Sequence, residues 1–201
     1  MGCVAGTTRG QIHALEGGLT WNAELCTHCQ TCIDACRYHA NRFTEQDEYR
    51  INYHEYLFCQ HCANACPQHA ITLDPQGFYH FQEGMAIATQ AVLSGFAPEH
   101  ALHINLLLNI TYVCDCWGLT TPALMPDIGL VASQDIVAVE QASLDLIRLE
   151  NLIRQGLPLG KEIGAEGHLF QRIHGKDPFV QVAALEPHGL GSRTYDLVEV
   201  S

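Results

Sequence analysis

The chain has 201 residues, 22 acidic against 10 basic, and a formal net charge of −12. That balance disfavours nucleic acid and anionic membrane surfaces as partners and suits docking to a basic face of another protein. The longest apolar run, Ile104 to Val113, is interrupted by Asn105 and Asn109 and is too short to cross a bilayer, so no membrane span is expected.

In chain order, residues 1 to 20 are glycine-rich, with Gly2, Gly6, Gly10, Gly17 and Gly18, and read as a loop leading into a cysteine-rich domain over residues 21 to 75. The opening MGCVAGTTRGQIHAL has no apolar core of the kind a signal peptide requires, which predicts reduced thiols and a cytoplasmic setting. Within the cysteine-rich domain, CTHCQTCIDACRYHA at 26–40 is followed by YLFCQHCANACPQHA at 56–70, and seven of the fifteen positions match. Cys29, Cys32, Cys36 and His39 pair with Cys59, Cys62, Cys66 and His69 at one fixed offset, the mark of an internal repeat.

The spacing Cys26-x2-Cys29-x2-Cys32-x3-Cys36 is that of the two-cluster bacterial ferredoxins, in which the fourth cysteine of each run ligates the other iron–sulfur cluster. By that swap, Cys26, Cys29, Cys32 and Cys66 form one 4Fe–4S site, with Pro67 after the last. Cys59, Cys62 and Cys36 form the other, which lacks a fourth cysteine because Tyr56 stands there; Arg37 stands where the pattern prefers proline. The second site is then a 4Fe–4S cluster with a non-standard ligand, a 3Fe–4S cluster, or empty. Candidate extra ligands are Tyr56, His54, Glu55 and His61, with Cys3, Cys114 and Cys116 available from further along the chain. An incomplete or labile second cluster is preferred over any single substitute. Zinc sites usually place two cysteines, a long spacer and two more, which the four cysteines of 26–36 do not. Of the twelve histidines, His28, His61, His39 and His69 sit where they could hydrogen-bond cluster sulfur or face solvent, and His13 has no derivable role.

After Ile71 to Leu73, a short strand, the domain closes near Asp74-Pro75. Met85, Ile87, Ala88, Ala91 and Val92 predict a helix over 81–93 that ends at Gly95. A buried strand follows over 103–113 and another over 128–132. Asp135 caps a helix running to about Leu149 and closed near Gly156, and Asp177-Pro178 starts a last helix that stops by Gly189. Residues 195 to 200 alternate like a strand. Strands interleaved with helices point to an α/β layer over 76–201. Between its middle strands lies Cys114-Asp115-Cys116, a candidate substrate or metal site, or two buried small side chains in a turn. Asp127 is a further candidate ligand, or turns the chain after Pro126.

The stretch CDCWGLTTPALMPDIGLVASQDIVAVEQASLDLI at 114–147, with MGCVAGTTRGQIHA at the start and FVQVAALEPHGLGSRTYDLVEV at the end, resembles the domain-of-unknown-function 362 family, iron–sulfur proteins with a ferredoxin insert. The resemblance implies cluster binding more than any particular reaction. Family members are usually longer, so it also implies a partner subunit or domain supplying an N-terminal half, or a homodimer that completes the sheet. The expected architecture is α+β: a two-cluster ferredoxin-like module joined to a truncated α/β domain. The expected function is electron transfer to or from a redox partner protein. The alternatives are a reductase with its own site at Cys114, Asp115 and Cys116, and a non-redox protein whose metal stabilises the fold or senses.

Overall fold

The computed structural model describes residues 8, 12, 19–52, 55, 61–113 and 120–200. The protein is α+β and divides into two compact units, 1–84 and 85–201. In the first, β1 (Leu19–Trp21) pairs antiparallel with β4 (Ile71–Leu73), and β2 (Asn41–Phe43) with β3 (Tyr49–Ile51). Between the strands lie two very short helices, α1 (Thr31–Asp34) and α2 (His61–Ala65). The sequence repeat is thus a structural repeat. β1 and β3 begin at 19 and 49, α1 and α2 at 31 and 61, β2 and β4 at 41 and 71.

Each strand pair joins one strand from each repeat, so neither repeat forms a sheet alone. The edges are sewn by an exchange: Asn22 N–H donates to the Ala70 carbonyl at 2.8 Å, and its counterpart Asn52 N–H donates to the Ala40 carbonyl at 2.6 Å. Helices of four and five residues are too short to persist by themselves. They are held by a small core in which Cys32, Tyr49, Cys62 and Ile71 are buried and Leu19, Trp21, Ile33, Phe43 and Ile51 pack around them. Phe43 lies edge-on to Trp21 and Tyr49, with ring centroids 6.2 and 5.6 Å apart, a favoured aromatic arrangement.

α3 (Pro75–Leu93) contains the boundary between the units. It starts six residues before the expected start at 81, because Asp74 Oδ1 accepts from the Gln76 N–H at 2.9 Å and Pro75 takes the first position, where no N–H is needed. The second unit contains β5 (His103–Leu107) and β6 (Gly129–Ser133), an antiparallel pair, with α4 (Ile136–Leu146), α5 (Leu169–His174) and α6 (Phe179–Leu185). Asn105 on β5 donates to Ser143 Oγ and Glu140 Oε1 of α4, at 3.0 and 3.2 Å. Leu107, Val131, Leu124, Met125, Val139, Leu169 and Ile173 form its main core.

The strand expected over 103–113 stops at Leu107. Asn109 takes a left-handed conformation (φ 47°) and its N–H is received by Asp127 Oδ1 at 2.7 Å, so the chain turns out of the ladder. Asp127 therefore serves as the turn-forming group in this unit. Asp135 caps α4 as expected, Oδ1 accepting from Ala138 N–H, while Oδ2 accepts from Ser192 N–H and ties down the C-terminal segment. The expected strand at 195–200 is not formed. Among the described residues β5 and β6 pair only with each other, and an alternating pattern without a ladder partner stays irregular; Leu197, Val198 and Val200 are exposed.

Buried Gly156 lies against the backbone of Ala123 and Leu124, where Ile153 N–H donates to the Leu124 carbonyl at 2.6 Å. A methyl group there would press into the Ala123 carbonyl oxygen, which is backbone and cannot swing aside. Gly156→Ala is expected to destabilise the protein by about 1–3 kcal/mol, read as a lower urea midpoint; an unchanged midpoint would show that the segment yields freely.

Candidate metal centre

After α1 and after α2 the chain makes the same turn. Cys36 and Cys66 are each followed by a histidine in the left-handed region, His39 at φ 51° and His69 at φ 50°. This conformation points the next amide back: Ala40 N–H donates to Cys36 Sγ and Ala70 N–H to Cys66 Sγ, both at 3.3 Å. The imidazoles of His39 and His69 are exposed, so it is their backbone that serves the cysteines. Each of these sulfurs thereby receives one backbone donor from the same turn.

The crossing of the repeats carries Cys66 to the cysteines of the first repeat. Cys26, Cys29, Cys32 and Cys66 line one cavity, walled by Trp21, Phe43, Ala70 and Ile71. Cys36 and Cys62 line a second cavity, together with Tyr38, Asn41, Tyr49, Ile51, Glu55 and His61. Among the described residues no three or more Cys, His, Asp or Glu side chains converge tightly enough to hold a single metal ion. None of the six described cysteines is in a disulfide.

The thiols differ in their surroundings. Thr31 Oγ1 is 3.3 Å from Cys29 Sγ, and hydrogen bonding from the Thr31 hydroxyl and amide pulls the exposed Cys29 thiol below its ordinary range. Burial pushes Cys32 up to about 11, with Cys62 and Cys66 nearby adding to the rise. Burial likewise raises the Tyr49 hydroxyl. That hydroxyl accepts from Asn41 Nδ2 at 2.8 Å, and the same Nδ2 donates to the Cys32 carbonyl at 2.9 Å. Two wall residues carry buried polar atoms with no partner among the described residues: the Nε1–H donor of Trp21 in the first cavity and the Oδ1 acceptor of Asn41 in the second.

A family model described as a domain of unknown function, DUF362, matches residues 1–145. The chain belongs to the DUF362 family. No curated protein and no solved structure matches it. The match runs through the whole cysteine-rich unit and into the second unit as far as α4. Among the described residues of this DUF362 protein no helix is long and apolar enough to cross a membrane.

Of the candidates from the sequence, Cys3, His13, His54, Tyr56, Cys59, Cys114, Asp115 and Cys116 lie outside the described residues. The chain flanking 114–119 is closed at its base by the bridge between Thr111 and Ala123 and by Tyr112 N–H donating to Thr121 Oγ1 at 3.1 Å. His28 is exposed and its ring lies 4.8 Å from that of Phe43, so it covers the aromatic cluster. Trp21, Asn41 and Tyr49 are wall residues that motif spacing does not reveal. The available signal was the repeat itself, which pairs Trp21 with Ile51 and Asn41 with Ile71, polar against apolar at equivalent positions.

Because the thiolate is the reactive form, metal-free protein treated briefly with iodoacetamide at neutral pH is expected, among the six described cysteines, to be modified at Cys29 first and at Cys32 last. Peptide mapping by mass spectrometry reads the order. Early loss of Cys32 would mean that the small core opens without metal.

Proposed function

We propose that this DUF362 protein binds iron–sulfur clusters and passes electrons to or from a partner protein. One observation carries the reading: cysteines 26, 29 and 32 of the first repeat and Cys66 of the second line a single cavity, the donor set the ferredoxin spacing requires. Two further features of the cavity suit a polynuclear centre. Four thiols share one pocket with aromatic and apolar walls, the setting a sulfur-bridged cluster requires. The wall also holds the unpartnered Trp21 N–H donor, and a buried donor without an acceptor costs about 1–3 kcal/mol; a sulfur-rich centre supplies that acceptor.

In this reading Cys26, Cys29, Cys32 and Cys66 are the ligands, and the Ala70 amide and Trp21 indole donate to sulfur. When bound, such a cluster supplies one-electron transfer. The residues around it set how readily the added negative charge is accepted, because hydrogen bonds to sulfur stabilise the reduced state. Phe43 and Ile71 keep water from one side of the thiols. The acidic chain, at −12, suits recognition by a basic face of the partner.

Anaerobically purified protein is expected to contain iron and acid-labile sulfide in equal amounts, at least about four of each per chain. Cys66→Ser should remove as much as Cys26→Ser, although the two lie in different repeats. Zinc without sulfide would sink the proposal and favour a metal that only stabilises the fold. Trp21→Phe keeps the ring and deletes the donor, so the reduction potential should become more negative; an unchanged potential would detach the indole from the centre.

A further inference from the structure

Exchanging the two repeats carries one cavity onto the other only in part. Cys32 and Cys66 of the first correspond to Cys62 and Cys36 of the second, and Trp21 and Ile71 to Ile51 and Asn41. The correspondence fails elsewhere: Leu19 and Tyr49 line only the second cavity and Phe43 only the first, and two further differences bring metal-ligating groups. Glu55 and His61 line the second cavity, while their counterparts Leu25 and Thr31 do not line the first. Both additions offer oxygen or nitrogen donors, and both fall in the repeat that has Tyr56 where the first has Cys26.

Repeat equivalence separates the two. Thr31 hydrogen-bonds the cysteine two residues before it, so position 61 is placed to support a sulfur from outside the ligand set. Glu55 directly precedes the position at which the first repeat supplies its ligand Cys26, and it lines the second cavity. A second observation concerns the wall. Asn41 is only 4% exposed; both protons of its amide are used, yet Oδ1 receives no donor among the described residues. A lining of thiolates and sulfides has no proton to give that oxygen. A ligating carboxylate has none either, whereas a water bound at an exchangeable iron does.

We propose that the second cavity holds its metal centre through mixed donors, the Glu55 carboxylate beside the thiolates of Cys36 and Cys62, and that the metal held by the carboxylate is the exchangeable one. Carboxylate is a hard, weakly held ligand for iron in a sulfur environment, so this position is open to exogenous ligands while the first cavity is closed by four thiolates. The inference rests on the proposed iron–sulfur reading and adds to it a second, chemically distinct centre.

The test reconstitutes the full chain anaerobically with ferrous iron and sulfide and compares wild type, Cys26→Ser, and Cys26→Ser combined with Glu55→Ala or Glu55→Cys. Wild type should hold about seven to eight iron, and Cys26→Ser about half of that, in the second cavity alone. Adding Glu55→Ala should speed iron loss to EDTA at least about tenfold and change the electron paramagnetic resonance spectrum; Glu55→Cys should slow that loss below the Cys26→Ser rate. Glu55 is exposed, so these changes are compatible with folding, and a Glu55→Ala single variant, which should keep the first cavity's iron, checks it. About four iron in wild type, all lost in Cys26→Ser, would overturn the inference and leave the proposed function standing. A Glu55→Ala chain with unchanged lability and spectrum would do the same. Wild type without iron or sulfide would overturn both.

Discussion

The exchange between the two repeats is the constraint on which the cysteine-rich unit depends. Asn22 reaches the Ala70 carbonyl and Asn52 the Ala40 carbonyl, and each of these alanines also sends its N–H back to the preceding cysteine, Cys66 or Cys36. A single residue in each repeat therefore fixes both the crossing of the strands and the placement of a thiol. Strands of three residues and helices of four or five contribute little by themselves. What organises them is that every element finds its partner in the other repeat, so neither half can order its thiols alone. A unit this small has a slight apolar core, and filling thiol-lined space with metal would supply the missing cohesion.

The same frame yields two unlike cavities. Backbone geometry repeats closely, down to the left-handed histidines, because the turn that aims an amide at sulfur is a backbone property and tolerates any side chain that accepts positive φ. The walls diverge because side chains are free to change where the backbone is not. The first wall sets an indole donor and apolar groups around four thiols. The second sets Asn41, Tyr49, Glu55 and His61 around the two that are described. Duplication with divergence of this kind allows one module to carry a centre shut off from exchange and another accessible to it.

The second unit was less legible than the first. Helices α4 and α6 announce themselves through an Asp cap and a first-turn proline, and both form where those signals lie. Apolar alternation served less well. The run from 103 to 113 breaks at Asn109, whose amide is claimed by Asp127 some eighteen residues on, and the run at 195–200 has no neighbour to pair with. α5 went unseen because its cap is His168, which receives the Phe170 N–H on Nδ1 while Nε2 bonds the Leu144 carbonyl, a long-range contact invisible in local composition.

By itself the sequence determined that the thiols come in two runs at one spacing, that the second run lacks a cysteine at position 56, and that the chain mixes helices with strands. These are properties of covalent order and local preference. Only the tertiary structure decided which side chains close each cavity, because Trp21, Asn41, Tyr49 and Glu55 meet the cysteines through antiparallel pairing between residues up to about fifty positions apart. Burial decided the rest. Hydrogen bonds from Thr31 pull exposed Cys29 down while desolvation pushes buried Cys32 up, since burial penalises a charge and nearby donors stabilise it.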